Sequence, residues 1–129
     1  MFGIEIKRVV NNLAFGNLFV NQDYVSENDL FVTVKYGNEI RRTTTKWNVK
    51  IPIWNELLTF PYNKNVNSIT ISLLDDDMYS KDECFFKKEI KLNRPHTKLT
   101  IHNIVVEYGF YKHLTNDKYN NLIIENRHL

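Results

Sequence analysis

The chain has 129 residues, 43% of them hydrophobic and 25% charged, the composition of one globular domain rather than of a disordered segment. A net charge of +2 gives no bulk electrostatic drive toward nucleic acid, and no apolar run approaches the length of a membrane span. The single cysteine, Cys84, excludes an intramolecular disulfide and fits a reducing compartment, and the opening residues MFGIEIKRVV lack the basic-then-apolar pattern of a signal peptide.

In chain order, residues 2–10 (FGIEIKRVV) alternate well enough to predict a first strand. A long connection follows over 11–29, holding Gly16, several Asn and the acids Asp23, Glu27 and Asp29. Residues 30–36 (LFVTVKY) are β-branched and aromatic and predict the next strand. Gly37-Asn38 marks a tight turn into a hairpin partner over 39–45. Residues 46–53 read as a loop, where Pro52 excludes a central strand, and 54–60 (WNELLTF) as a strand ended by Pro61. In 68–74, Ile69, Ile71 and Leu73 share one face of a strand. A further strand is predicted over 84–92, and 99–112 predicts one long strand, or a strand with a bulge near Gly109. Seven strands are thus expected, and the long early connection has room for an eighth. The pattern is that of an all-β chain, an antiparallel β-sandwich. Over 115–129, Tyr119, Leu122 and Ile123 fall at helical spacing, which leaves a short docked helix and a C-terminal tail both open.

The chemistry concentrates between the strands at 68–74 and 84–92. Residues 75–83 read DDDMYSKDE, a dense acidic turn with Met78 and Tyr79 set among its charges. Clustered carboxylates repel one another unless something neutralises them. Ca²⁺ does this well, because it accepts six to eight oxygens from flexible loops. The alternative is a solvated acidic hairpin loop, and the second acidic stretch at Asp23–Asp29 shifts the balance toward a cation. The four histidines, His96, His102, His113 and His128, have no metal-protease spacing, and no nucleophile elbow, phosphate loop or dinucleotide fingerprint occurs. Carboxylates at adjacent loop tips without a nucleophile point to binding rather than to an enzyme.

Three ordered motifs give a family resemblance. Asp23-Tyr-Val-Ser-Glu-Asn-Asp29-Leu-Phe-Val32 resembles the first calcium loop of C2 domains. Lys50-Ile-Pro-Ile-Trp-Asn-Glu56 resembles that family's Asn-Pro-Val-Trp-Asn-Glu signature. Asp75-x-Asp77 with Asp82-Glu83 resembles its third loop. The resemblance covers residues 2–112 and implies an eight-stranded antiparallel β-sandwich, a C2-like domain over 1–114 and a tail or short helix over 115–129. The acidic loop follows the first strand, and Ile104-Val-Val-Glu-Tyr108 looks like a closing strand. In this the chain resembles the permuted type II topology, and Leu13-Ala-Phe-Gly16 is similar to the cytosolic phospholipase branch.

Carried over position by position, the resemblance puts the calcium ligands on Asp23, Asp29, Asp75, Asp77 and Glu83, with Asp82 as the alternative to Glu83. Asn48 matches a second-loop amide ligand of the phospholipase type, Ser80 a side-chain oxygen of some members, and Tyr24 and Asp76 carbonyl ligands. Trp54 reads as a core residue. Phe19, Val20, Met78 and Tyr79 are the apolar side chains expected to enter a membrane, although Phe19 and Val20 packed under the first loop is an open alternative. Lys35 and Arg42 match two positions with which some members hold phosphoinositides. Thr33 and Ile40 stand where further bases are expected, and a solvated sheet edge is the alternative there. Leu30 and Ile51 replace the family's usual Pro and Asn. The function so implied is calcium-dependent docking on a phospholipid surface, in the cytoplasm and peripheral to the membrane, with Ca²⁺ as cofactor and no nucleic acid partner. The rival is a calcium-independent module whose partner is a protein or further domains of a larger chain.

Overall fold

The computed structural model describes residues 1–11, 29–47, 51–76, 84–93, 96–101, 104–116 and 122–127, with backbone alone for 11, 112–116 and 122–127. The described residues form nine strands and no helix. They are β1 (Phe2–Asn11), β2 (Leu30–Tyr36), β3 (Glu39–Arg42), β4 (Ile53–Phe60), β5 (Ser68–Asp75), β6 (Phe86–Lys91), β7 (Lys98–Ile101), β8 (Ile104–Asn116) and β9 (Leu122–Arg127). The first eight make a sandwich of two antiparallel sheets, one ordered β4-β1-β8-β7 and the other β3-β2-β5-β6. The closing strand β8 lies beside the first, as the permuted topology requires.

Three sequence expectations need correction. The run 99–112 is a hairpin, in which β7 and β8 pair through Ile101↔Ile104, and this supplies the eighth strand of the sandwich. Against β1 the irregularity lies in β1, while against β9 the register of β8 shifts between Tyr111 and His113 and between His113 and Leu114. Ile6 pairs with Tyr108 and Arg8 with Glu107, so Lys7 is an extra residue in β1, whereas Gly109 sits in regular register opposite Glu5. The helical spacing near 119–123 does not produce a helix at Leu122–Arg127, whose backbone pairs with β8 as β9. An exposed polar strand edge offers unpaired backbone groups, and a short segment satisfies them more readily than it nucleates a helix.

Alternation places the core. Ile4 and Ile6 of β1, the even positions of β2, the odd positions of β5 and Val106, Tyr108 and Phe110 of β8 all point between the sheets and are buried. The bulge at Lys7 shifts the phase of β1, so that the next fully buried residue after Ile6 is Val9, three positions on. The same bulge meets β4. Ile6 pairs with Glu56 and Arg8 with Ile53, leaving Trp54 and Asn55 opposite the single Lys7. Asn55 takes φ +49°, in the left-handed region that Asn tolerates better than most residues. Trp54 is buried and donates its indole N–H to the Thr44 carbonyl at 2.7 Å, while Glu56 accepts the Thr44 backbone N–H at 2.9 Å. The Trp-Asn-Glu motif therefore does structural work. It turns β4 and ties it to the segment leaving β3.

Candidate functional site

The acidic end of the sandwich is set by the pairing of β2 with β5. Leu30 and Asp75 are register partners at the last rung, and the Asp76 N–H donates to the Asp29 carbonyl at 2.8 Å. Two acids far apart in the chain are thereby held at neighbouring strand ends. Asp75 continues the inward phase of Ile69, Ile71 and Leu73 and is only 8% exposed, while Asp29 is half-buried. A carboxylate drawn from water in this way needs compensation, from hydrogen bonds or from a cation.

Asp76 points elsewhere. Its carboxylate accepts a hydrogen bond from the Thr45 hydroxyl at 3.3 Å and lies 4.0 Å from the Arg42 guanidinium. Arg42 is held on several sides. It lies 3.6 Å from the centre of the Phe31 ring and donates to the Thr43 carbonyl at 3.0 Å and the Thr45 hydroxyl at 2.6 Å. The register pairs Thr33 with Arg42 and Lys35 with Ile40, so Arg42 and Lys35 share the outer face of the sheet. Of these two candidate phosphoinositide contacts, Arg42 is thus already engaged by its own chain, and Lys35 is exposed.

A third segment reaches the same end. Leu30 and Lys46 exchange backbone hydrogen bonds of 3.1 and 2.9 Å, which pins the start of the β3–β4 connection beside Asp29. Trp47 follows at once and is 61% exposed, and Ile51 and Ile53 on the far side of the connection are 51% and 53% exposed. Sequence reasoning missed these three. The signal was present, since apolar side chains in a loop bounded by Pro52 have no strand face to cover, but 46–53 was read only as a connection.

Asp29 and Asp75 are the predicted ligands that the described residues bring together. Asp23, Asp77, Asp82, Glu83 and Asn48 lie outside the described residues, as do Tyr24, Ser80 and the predicted membrane residues Phe19, Val20, Met78 and Tyr79. Among the described residues no group of three or more His, Cys, Asp or Glu side chains is arranged to hold a metal. The donor chemistry that is described, hard carboxylate oxygen at two converging strand ends, fits Ca²⁺. No helix of the described chain is long and apolar enough to cross a membrane.

A family model described as C2 domain matches residues 9–105. No curated protein matches the chain. Among solved structures, human GIVD cytosolic phospholipase A2 is similar with a TM-score of 0.61 at 20% identity, covering 84% of this chain. A two-domain piece of Extended-Synaptotagmin 2 gives 0.63 at 16% identity, covering 84% of this chain and 39% of that one. The same protein in calcium-bound form gives 0.58 at 15% identity, covering 83% and 43%. At these identities the likeness is one of fold. The chain spans about 16% of the length of the phospholipase.

Proposed function

The chain belongs to the C2 domain family, and on that footing we propose that it is a non-catalytic module that docks on phospholipid membranes when it binds Ca²⁺. The observation that carries this reading is the meeting of Asp29 and Asp75 at adjoining ends of β2 and β5, with Trp47 exposed on the segment pinned beside them. Asp23, Asp77 and Glu83 would complete the oxygen set, with Asp82 and Asn48 as further donors. Bound Ca²⁺ supplies positive charge and open coordination positions for lipid oxygens. The chain's own residues do the rest. Without a cation, the net negative charge of the acidic loops repels anionic head groups and holds the loop end off the membrane, and its neutralisation removes that barrier.

Apolar side chains then give the contact its strength. Trp47 and Ile51 join Met78, Tyr79, Phe19 and Val20 as the residues assigned to the interface, and each buried aromatic or aliphatic side chain contributes about 1.5–3 kcal/mol. Such a module acts in the cytoplasm, peripheral to the membrane. That two C2 domains of Extended-Synaptotagmin 2 have been solved calcium bound supports the choice of cation.

The test is co-sedimentation with phosphatidylcholine–phosphatidylserine vesicles, in calcium and in chelator. Wild type sediments in calcium alone. Trp47→Ala, and separately the Met78→Ala, Tyr79→Ala pair, weaken binding about tenfold or more, by the loss of buried apolar area. Wild type that ignores vesicles in both conditions overturns the lipid reading in favour of the protein-interaction module.

A further inference from the structure

Residues 43–45 are three threonines in a row, and each is tied to a different part of the sandwich. Thr43 carries the pairing of β3 with β2 one step further. It donates its N–H to the Val32 carbonyl at 2.9 Å, and its hydroxyl accepts the Val32 N–H at 2.9 Å. Thr45 reaches the residue after β5, where its hydroxyl donates to the Asp76 carboxylate at 3.3 Å. Thr44 crosses to the other sheet. Its N–H donates to one Glu56 oxygen at 2.9 Å, its hydroxyl donates to the other, and its carbonyl accepts the Trp54 indole N–H at 2.7 Å.

Glu56 stands in an unusual place for a charge. It is the register partner of Ile6, which is fully buried, and it alternates with Trp54, Leu58 and Phe60, all of them buried. A carboxylate in a core-facing row is costly unless its oxygens are satisfied, and here both are bonded by one residue, Thr44. β3 and β4 are edge strands of different sheets. Near the acidic end, the bonds that Trp54 and Glu56 make to Thr44 hold those two edges together, while at the other end Arg41 lies 5.2 Å from the centre of the Phe60 ring.

The residues that follow Thr44 give this junction its consequence. Lys46 exchanges backbone hydrogen bonds with Leu30, next to Asp29, and Trp47 comes directly after it with 61% of its surface exposed. β2 therefore supports the segment from one side and Glu56 from the other. An edge segment that loses its outer support opens locally without global unfolding.

We infer that Glu56 is a positioning residue for the membrane contact: through Thr44 it holds the 43–47 segment against β4 and so fixes Trp47 relative to Asp29 and Asp75. This rests on the lipid-docking reading and adds to it the residue that preorganises the tryptophan. Binding through a segment that is in place only part of the time is weakened by that fraction. Glu56 acts through Thr44, not on calcium.

The experiment compares wild type with Glu56→Ala, Glu56→Gln and Gly37→Ala. Amide hydrogen exchange at Leu30 and Lys46 reads the segment itself, without calcium or lipid. Co-sedimentation with phosphatidylcholine–phosphatidylserine vesicles in calcium reads docking. Glu56→Ala should speed exchange at Lys46 about tenfold or more. It should also weaken vesicle binding about tenfold, the loss expected of a segment in place about a tenth of the time. Calcium affinity, measured by calorimetry without vesicles, stays that of wild type. Glu56→Gln restores most of both readouts, because its amide oxygen accepts the Thr44 N–H and its amide nitrogen can donate to the Thr44 hydroxyl. Gly37→Ala strains a turn at φ +62° at the far end of the sandwich and should dock like wild type. A Glu56→Ala chain that docks like wild type, or equal loss in Glu56→Ala and Gly37→Ala, overturns the positioning role. Wild type that ignores vesicles overturns the lipid reading, and exchange at Lys46 then decides alone. Faster exchange in Glu56→Ala supports the hold on the segment, and unchanged exchange overturns it.

Discussion

The two ends of the sandwich are built on opposite principles. At the end away from the acidic loops, Phe2 stacks on Tyr36 with ring centres 4.6 Å apart, and Phe60 lies 5.3 Å from Tyr36. The Tyr36 hydroxyl donates to the Asn63 carbonyl at 3.1 Å and accepts the Asn63 N–H at 2.9 Å, so a buried polar group there is satisfied from both sides. At the other end, Asp75 is nearly as buried, yet it is surrounded by further carboxylates in sequence and its strand partner ends in Asp29. One end is an aromatic cluster with a satisfied hydroxyl. The other brings two acids of distant segments to adjoining strand ends, and this difference separates the scaffold from the proposed site.

The comparison breaks most visibly at the aromatic end. Phe60→Ala removes a fully buried ring that packs against Phe2 and Tyr36, and is expected to cost about 3–5 kcal/mol in denaturant unfolding. The stabilisation gained on adding calcium should survive the change, because the ring is remote from Asp29 and Asp75. A Phe60→Ala chain that still folds but no longer responds to calcium would merge the two ends into one cooperative unit.

The acidic end gives the next largest effect. Calcium at a hundredfold excess over Kd should stabilise wild type by about 2.7 kcal/mol relative to chelator. Asp75→Asn removes that gain. Asp76→Asn is the sharper comparison. Its carboxylate is turned toward Thr45 and Arg42, so the calcium response should persist. Equal loss in both variants, read as melting shifts with and without chelator, would reject the division of labour between these neighbouring acids.

The smallest effect returns to the far end. Gly37 turns the β2–β3 hairpin with φ +62°, and a Cβ there would stand 3.1 Å from Val66 Cγ2. Gly37→Ala should cost about 1–2 kcal/mol, the left-handed penalty of a residue with a side chain. Both calcium-loaded and calcium-free melts should fall by the same amount. A larger fall in one than the other would show that the turn senses the acidic end.

Much of this protein was legible from residue order alone. Composition in 30–36 and alternation in 68–74 specified the strands, and in 68–74 the buried face as well, because a period of two admits one assignment of inside and outside. The acids at 29 and 75 were visible as candidates because they belong to two acidic stretches and match the ligand positions that the family resemblance implies. Other features depended on contacts between distant segments. The division of 99–112 into β7 and β8 required the pairing itself, since both halves have the same composition as one long strand. The bulge at Lys7 and the left-handed Asn55 arise where β1 must satisfy β8 and β4 at once, which no local pattern records. The exposure of Trp47 was decided in the same way. An apolar side chain reads alike in sequence whether it covers a neighbour or faces solvent, and only the packing of the surrounding segments determines which.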